Sequence, residues 1–440
     1  MIGLLAALAL QGDEAWRVGM AEVKITPETP VHLSGYPSRN RPFDKVSTDL
    51  YAKALALEDA GGRRAVLVTT DLTGFRRDVA EPVCERIGEK TGLKRAEILL
   101  NSSHTHSGPV LTLNPNARGH LTADDAAKAV AYTRWMQERV AEAAVQAVGR
   151  LEPARLAWGK GRADFVMNRR QRGPEGIVLG ANPDGPADRT VPVLRVTTPE
   201  GKLRAVVFGA ACHNTALTSD NHDVSGDYAG FAQLAVGERH PGVTAMFVIG
   251  CAGDANPHPR GSMEIARRHG ATLADEVLRV LSGKMDPVAG PLRVAFDRVD
   301  LPLRPPPPRA DLVKMLESTP AWQHDMVRRM LARMDRGEKL PTAYPAPLAV
   351  WQFGRDLTFV GLSGEVVVDY VRLIEEALGP GRLWIAAYCN DKFGYFPSRR
   401  VLEEGGYEAQ GLADAGPGFF APEAQDVLVR KVKDLATMTK

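Results

Sequence analysis

The sequence predicts an α/β fold in which mixed sheets are flanked by helices, assembled as a single large domain. Three observations carry that expectation. Short apolar runs of strand length alternate with amphipathic stretches of helix length along the 440 residues. Most of the runs end in Gly-rich or polar loops, where α/β folds place their chemistry. The pattern is also the same in kind before and after a Pro-rich run at 302–309, so one continuous domain over 13–440 accounts for it better than two.

Taken in order, 64–70 reads as a strand, 78–91 as a helix and 96–100 as a strand. Residues 124–149 read as a long helix with Ala127, Val130, Ala131, Met136 and Val140 on its inner face. Segments 193–197 and 203–211 form a strand pair turned by Pro199-Glu200-Gly201. A helix over 228–238, a strand over 243–249 and a helix over 263–281 follow. Four consecutive prolines, Pro305 to Pro308, favour a stiff connector. Beyond them 310–337 reads as a helix, with Met326, Met330 and Met334 in one stripe that suits a core-facing side better than a lipid-gripping one. Strands over 348–353 and 356–362 turn at Gly354-Arg355, and a helix over 366–378 leads to a strand over 383–388.

Lys and Arg total 55 against 53 Asp and Glu, a net of +2 that gives no electrostatic reason to expect nucleic acid. Residues 1–12 form a short apolar run ending in small residues, resembling a signal-peptide core but too short to span a bilayer. It points to a secreted or periplasmic protein, with the cytoplasm as the alternative because a basic leader is missing. Cys84, Cys212, Cys251 and Cys389 are widely spaced, without a C-x-x-C pair, and read as buried free thiols.

The chemistry concentrates in Asn101-Ser-Ser-His104-Thr-His106-Ser-Gly-Pro109, directly after the apolar Ile98-Leu99-Leu100. Residues two apart on a strand share a face, so His104 and His106 converge there, as a zinc site or an acid–base pair requires. A lone His is more often a satisfied core or surface residue. His213 repeats the setting after the run 203–211. The run 243–249 ends in Gly250-Cys-Ala-Gly-Asp254-Ala-Asn256-Pro257, offering a carboxylate and an amide. The run 356–362 ends in Ser363-Gly364-Glu365, where Glu365 is either a ligand or a carboxylate favoured by a helix N-terminus. Four such strand ends together argue for a metal-dependent hydrolase, with bound water activated near neutral pH. His222 and His258 read as polar loop or rim residues.

These segments, with Gly394-Tyr395-Phe396-Pro397, resemble the neutral/alkaline non-lysosomal ceramidases, in that family's order and over roughly residues 16–409. The resemblance implies a zinc ion held by His104, His213, Glu365 and Tyr395, with His106 as general acid/base. It implies that Arg169 and Tyr407 hold the scissile carbonyl oxygen. Asp254, beside Asn256, is expected to support the site from behind. The implied substrate is ceramide or a related lipid amide, with peripheral membrane contact as an accompanying expectation. A hydrolase of another amide or ester, and a non-catalytic metal-binding scaffold, are the rivals.

Two departures stand out. Asn256 occupies the position of a family Ser considered a nucleophile, and an amide cannot attack as a hydroxyl does, which favours activated water. The sequence after the last motif is also too short for the family's immunoglobulin-like C-terminal domain.

Overall fold

A computed structural model of the chain describes residues 16–115, 121–318, 321–379, 381–410 and 418–438. The apolar run 1–12 lies outside the described residues. The chain begins with β1 (Trp16–Lys24), β2 (Tyr51–Asp59), β3 (Arg64–Thr70), α1 (Arg77–Thr91), β4 (Ile98–Ser102) and α2 (Ala123–Val148). It continues through β5 (Glu152–Arg162), β6 (Val166–Gly173), β7 (Gly176–Asn182), β8 (Thr190–Thr197), β9 (Leu203–Ala210) and α3 (Asp227–Arg239). Next come β10 (Thr244–Ile249), β11 (Ala255–Pro257), α4 (Met263–Ser282), β12 (Asp286–Val288), β13 (Leu292–Pro302), α5 (Arg309–Ser318) and α6 (Ala321–Asp335). The last elements are β14 (Ala343–Phe353), β15 (Leu357–Leu362), β16 (Glu365–Val366), α7 (Asp369–Leu378), β17 (Leu383–Ala386), β18 (Tyr395–Phe396), α8 (Arg399–Glu404) and α9 (Ala424–Met438).

The large sheet runs β10-β9-β8-β5-β1-β2-β3-β4, with β12 paired to β5, and a second sheet runs β13-β14-β15-β17. Period-two alternation explains why both are buried. On β2, Ala52, Ala54 and Ala56 face the helices α1 and α2, while Leu55 and Leu57 face the second sheet. On β10, Ala245, Phe247 and Ile249 face α3 and α4, while Met246 and Val248 face inward. On β15, Leu357 and Phe359 meet the large sheet, and Val360 and Leu362 turn towards α7 and α9. The layers are helix, sheet, sheet, helix: the mixed α/β architecture expected.

Several expectations are corrected. Ala127 and Ala131 on α2 are exposed; Val130, Met136 and Val140 are buried, together with Thr133 and Gln137. Those two polar residues fit the inner face because Thr133 Oγ1 donates to Ala129 O (2.7 Å) and Gln137 Nε2 to Val79 O (2.9 Å). The stretch 310–337 is two helices, and the Arg309–Asp335 ion pair (3.0 Å) shows that the second returns towards the start of the first. Leu312 packs there with Met326, Val327 and Met330, so the methionine stripe faces a small core of its own. Strand β14 starts five residues before the expected 348, including Pro345 and Pro347, because that part pairs only with β13. The helix after Glu365 begins at Asp369, and 365–366 instead pair in parallel with Tyr395–Phe396.

What positions the site is a seam. β3–β4, β9–β10 and β15–β17 are parallel pairs. Asn101, fully buried near the end of β4, accepts from Ile249 N (3.1 Å) on β10 and donates to Ala387 O (2.7 Å) beyond β17. Lys53 Nζ on β2 reaches Ala245 O on β10 (2.9 Å), so the sheet curls until its two ends approach. Replacing Asn101 by Leu leaves an N–H and a carbonyl buried without their side-chain partner. Urea unfolding should show a loss of about 2–4 kcal/mol.

Candidate functional site

Four segments leaving the seam supply the site. After β4 the backbone turns through a left-handed His104 (φ 63°), so His104 and His106 converge through a turn and not through the pleat of a strand. Their Nε2 atoms stand 3.1 Å apart. His213 follows β9, and Glu365 sits in register with Tyr395 on the β16–β18 pair. Glu365 therefore lies on a short strand, not at a helix N-terminus. Gly253 makes this possible: a Cβ there would stand 2.6 Å from Glu365 O, and its N–H donates to Val366 O (2.8 Å).

The protonation pattern follows from partners. His104 Nδ1 faces Thr73 O (2.6 Å) and His213 Nδ1 faces Ala252 O (2.7 Å). A carbonyl only accepts, so both Nδ1 atoms carry hydrogen, and in the neutral ring each Nε2 presents a lone pair. Glu365 Oε2 lies 3.2 Å from each Nε2, yet it is buried without a hydrogen-bond partner among the described residues. Burial pushes the His213 ring down to about 3, so it is neutral at physiological pH. Burial opposes charge on Glu365, and the Lys392 ammonium, with Nζ 3.8 Å from Oε1, favours it.

Two lone pairs and a carboxylate oxygen therefore converge with no hydrogen between them. Tetrahedral zinc ligands at about 2.0–2.2 Å from the ion stand about 3.3–3.6 Å from one another, so the donor set and its spacing fit a small divalent cation. The ring nitrogens of His104, His106 and His213 also fall within 4.8 Å of one another, a group able to hold a metal. His106 differs from the other two: its Nδ1 has no hydrogen-bond partner among the described residues, so no carbonyl fixes its tautomer. Burial, then the two facing imidazoles, push its pKa well below the usual value.

Tyr395 joins the cluster, its hydroxyl 3.4 Å from His213 Nε2 and accepting from Arg169 Nη2 (3.0 Å). Burial pushes this phenol's pKa up. Arg169 also donates to Asn256 Oδ1 (3.3 Å) and lies over the rings of Tyr395 and Tyr407, whose centroids are 5.1 Å apart. Every predicted site residue is thus in one neighbourhood except Asp254, which stands behind it. Asp254 accepts from Val368 N (2.8 Å), its carbonyl receives Arg169 N (2.9 Å), and burial pushes its carboxyl up to about 7. The four cysteines are buried free thiols, as expected.

Sequence reasoning missed three groups. Glu408 is fully buried between Arg169 Nε (2.9 Å) and Arg170 Nη1 (2.6 Å); the adjacent arginines in a strand were the available signal for a buried acid. Gly35 (φ 93°) lies so close to the His106 ring that a Cβ would meet it at 2.3 Å. Tyr36 packs edge-on against the same ring (4.8 Å), and the Arg39 guanidinium donates to His106 O. Tyr388 lies under His104.

Parallel strand ends carrying a histidine–carboxylate cluster define the class: an α/β protein with a candidate metal centre. The profile of the family described as "Neutral/alkaline non-lysosomal ceramidase, N-terminal" matches residues 16–268. The chain belongs to that family. It is 26% identical over 333 residues to neutral ceramidase of Pseudomonas aeruginosa, covering 68% of this chain and 48% of that protein. It is 26% identical over 275 residues to neutral ceramidase A of Dictyostelium discoideum, covering 58% and 37%. The chain thus spans about half or less of the length of these curated relatives. The crystal structure of neutral ceramidase from Pseudomonas aeruginosa shares the fold, with TM-score 0.74 at 21% identity over 97% of this chain and 74% of that one.

Glu408→Gln keeps the shape but leaves two buried guanidinium groups without their shared counter-charge. Denaturant unfolding should show a loss of about 3–5 kcal/mol. Glu404→Gln, at the more exposed partner of Arg170, should lose less than about 1 kcal/mol.

Proposed function

We propose that the chain is a zinc-dependent amidohydrolase that cleaves the N-acyl amide of ceramide or a related lipid amide. The observation that carries this reading is the convergence of His104 Nε2, His213 Nε2 and the unpaired Glu365 Oε2 at 3.2 Å contacts. These three, with Tyr395, would hold the ion. Bound there, zinc supplies Lewis acidity towards the amide carbonyl and lowers the pKa of water.

The chain's own residues do the rest. His106, neutral and with its Nδ1 unclaimed, takes a proton from the attacking water. It returns that proton to the amide nitrogen, so the C–N bond breaks as the new C–O bond is completed and a neutral amine leaves. Arg169, held by Glu408 and Asn256, presents charge beside Tyr407 where negative charge develops on the carbonyl oxygen. Asn256 Oδ1 accepts from both Arg169 and Thr215 Oγ1 (3.1 Å), so it positions the arginine and is no nucleophile. The ceramidase names of the relatives supply the default substrate.

Two variants separate metal binding from proton transfer. Glu365→Gln should lose bound zinc, by metal analysis, together with hydrolysis of a fluorogenic ceramide. His106→Ala should retain zinc and lose about 10²–10⁴-fold in kcat. Chelation should abolish turnover and added zinc restore it. Cleavage of esters but not ceramide by the zinc-loaded protein would sink the assigned substrate, and loss of zinc in His106→Ala would sink the division of roles.

A further inference from the structure

One buried side chain at this centre has no part in the reaction just described. Tyr388 follows β17 in a left-handed conformation (φ 56°) that L residues rarely adopt, and its N–H donates to Gly364 O (3.0 Å), one residue from Glu365. Its ring lies against that of His104 (centroids 4.5 Å, 40°) and meets His213 edge-on (6.1 Å, 88°). The residue is 2% exposed, yet its hydroxyl has no hydrogen-bond partner among the described residues.

Other buried tyrosines satisfy theirs. Tyr132 donates to Ile25 O (2.7 Å), Tyr228 to Cys212 O (2.7 Å), Tyr344 to Asp391 (2.6 Å) and Tyr370 to Pro397 O (3.1 Å). A buried phenol is expected to find a partner. Among the unpaired atoms around His104, the carboxylate acceptor is Glu365 Oε2. A neutral phenol carries one hydrogen to donate. Carboxylates that bind metal are themselves hydrogen-bonded, which fixes the oxygen they turn to the ion.

We propose that Tyr388 is the positioning residue of Glu365: its hydroxyl donates to the carboxylate when Glu365 binds the cation, and so sets the orientation in which it ligates. This rests on the zinc reading above. The geometry supports it because Glu365 and Tyr388 both meet His104, one at Nε2 and the other against its ring, and because the backbone bond to Gly364 ties their positions together.

Tyr388→Phe removes only the hydroxyl and keeps the ring on His104. Zinc affinity, by competition with a chromophoric chelator, should fall about 10–100-fold. The Tm of the metal-free protein should stay the same or rise, since the change deletes a buried hydroxyl without a partner. Wild-type zinc affinity in the variant would overturn the proposal and leave the zinc reading standing. A lowered Tm in the metal-free variant would also overturn it, marking the hydroxyl as a structural group. Failure of the wild-type protein itself to bind zinc would overturn both.

Discussion

Three acceptors in one place, with no hydrogen among them, set the terms for the rest of this molecule. The Nε2 lone pairs of His104 and His213 and the Oε2 of Glu365 repel one another in a low-dielectric interior. The backbone enforces their approach. Carbonyls of Thr73 and Ala252 hold the two rings in one tautomer, and the parallel β16–β18 pair holds the carboxylate in register with Tyr395. A cation turns this repulsion into attraction. Without one, the same arrangement is a standing cost that the layers around it must cover.

Those layers explain how the cost is covered. Each central strand is buried on both faces, so helices, two sheets and helices form one continuous apolar stack around the seam. Asn101 closes the seam by bonding to the ends of β10 and β17 with one amide. The loops that carry His104, His213 and Glu365 all leave from there. A rigid floor under mobile-length loops is what holds reacting groups to fractions of an ångström. His106 is held differently, by Gly35, Tyr36 and Arg39 pressing on it from a separate segment, which suits a group that carries protons more than one that ligates.

Much of this was legible in the sequence, because uninterrupted apolar runs ending in polar residues are what strands buried on both faces look like. His104, His106, His213 and Glu365 were found in that way, as chemistry where an apolar run stops. The failures have physical causes. The His104–His106 convergence comes from one residue at positive φ, which alternation cannot foresee. Thr133 and Gln137 displaced Ala127 and Ala131 from the inner face of α2 because local hydrogen bonds satisfied them. Strand β6 carries Arg169, Arg170 and Arg172, which break any apolar pattern, and the first two find their place only as partners of Glu408 and Glu404. Glu408 and Tyr388 act through contacts distant in sequence, where spacing carries no signal.

Everything above turns on the third ligand, since His104 and His213 can be completed by either His106 or Glu365. Anomalous diffraction at the zinc edge, from crystals of the zinc-loaded protein, decides it directly. The expected result is one peak at about 2.0–2.2 Å from His104 Nε2, His213 Nε2 and a Glu365 oxygen, with His106 Nε2 outside bonding distance. A peak bound by all three histidines with Glu365 turned away, or no peak at the cluster, would contradict it.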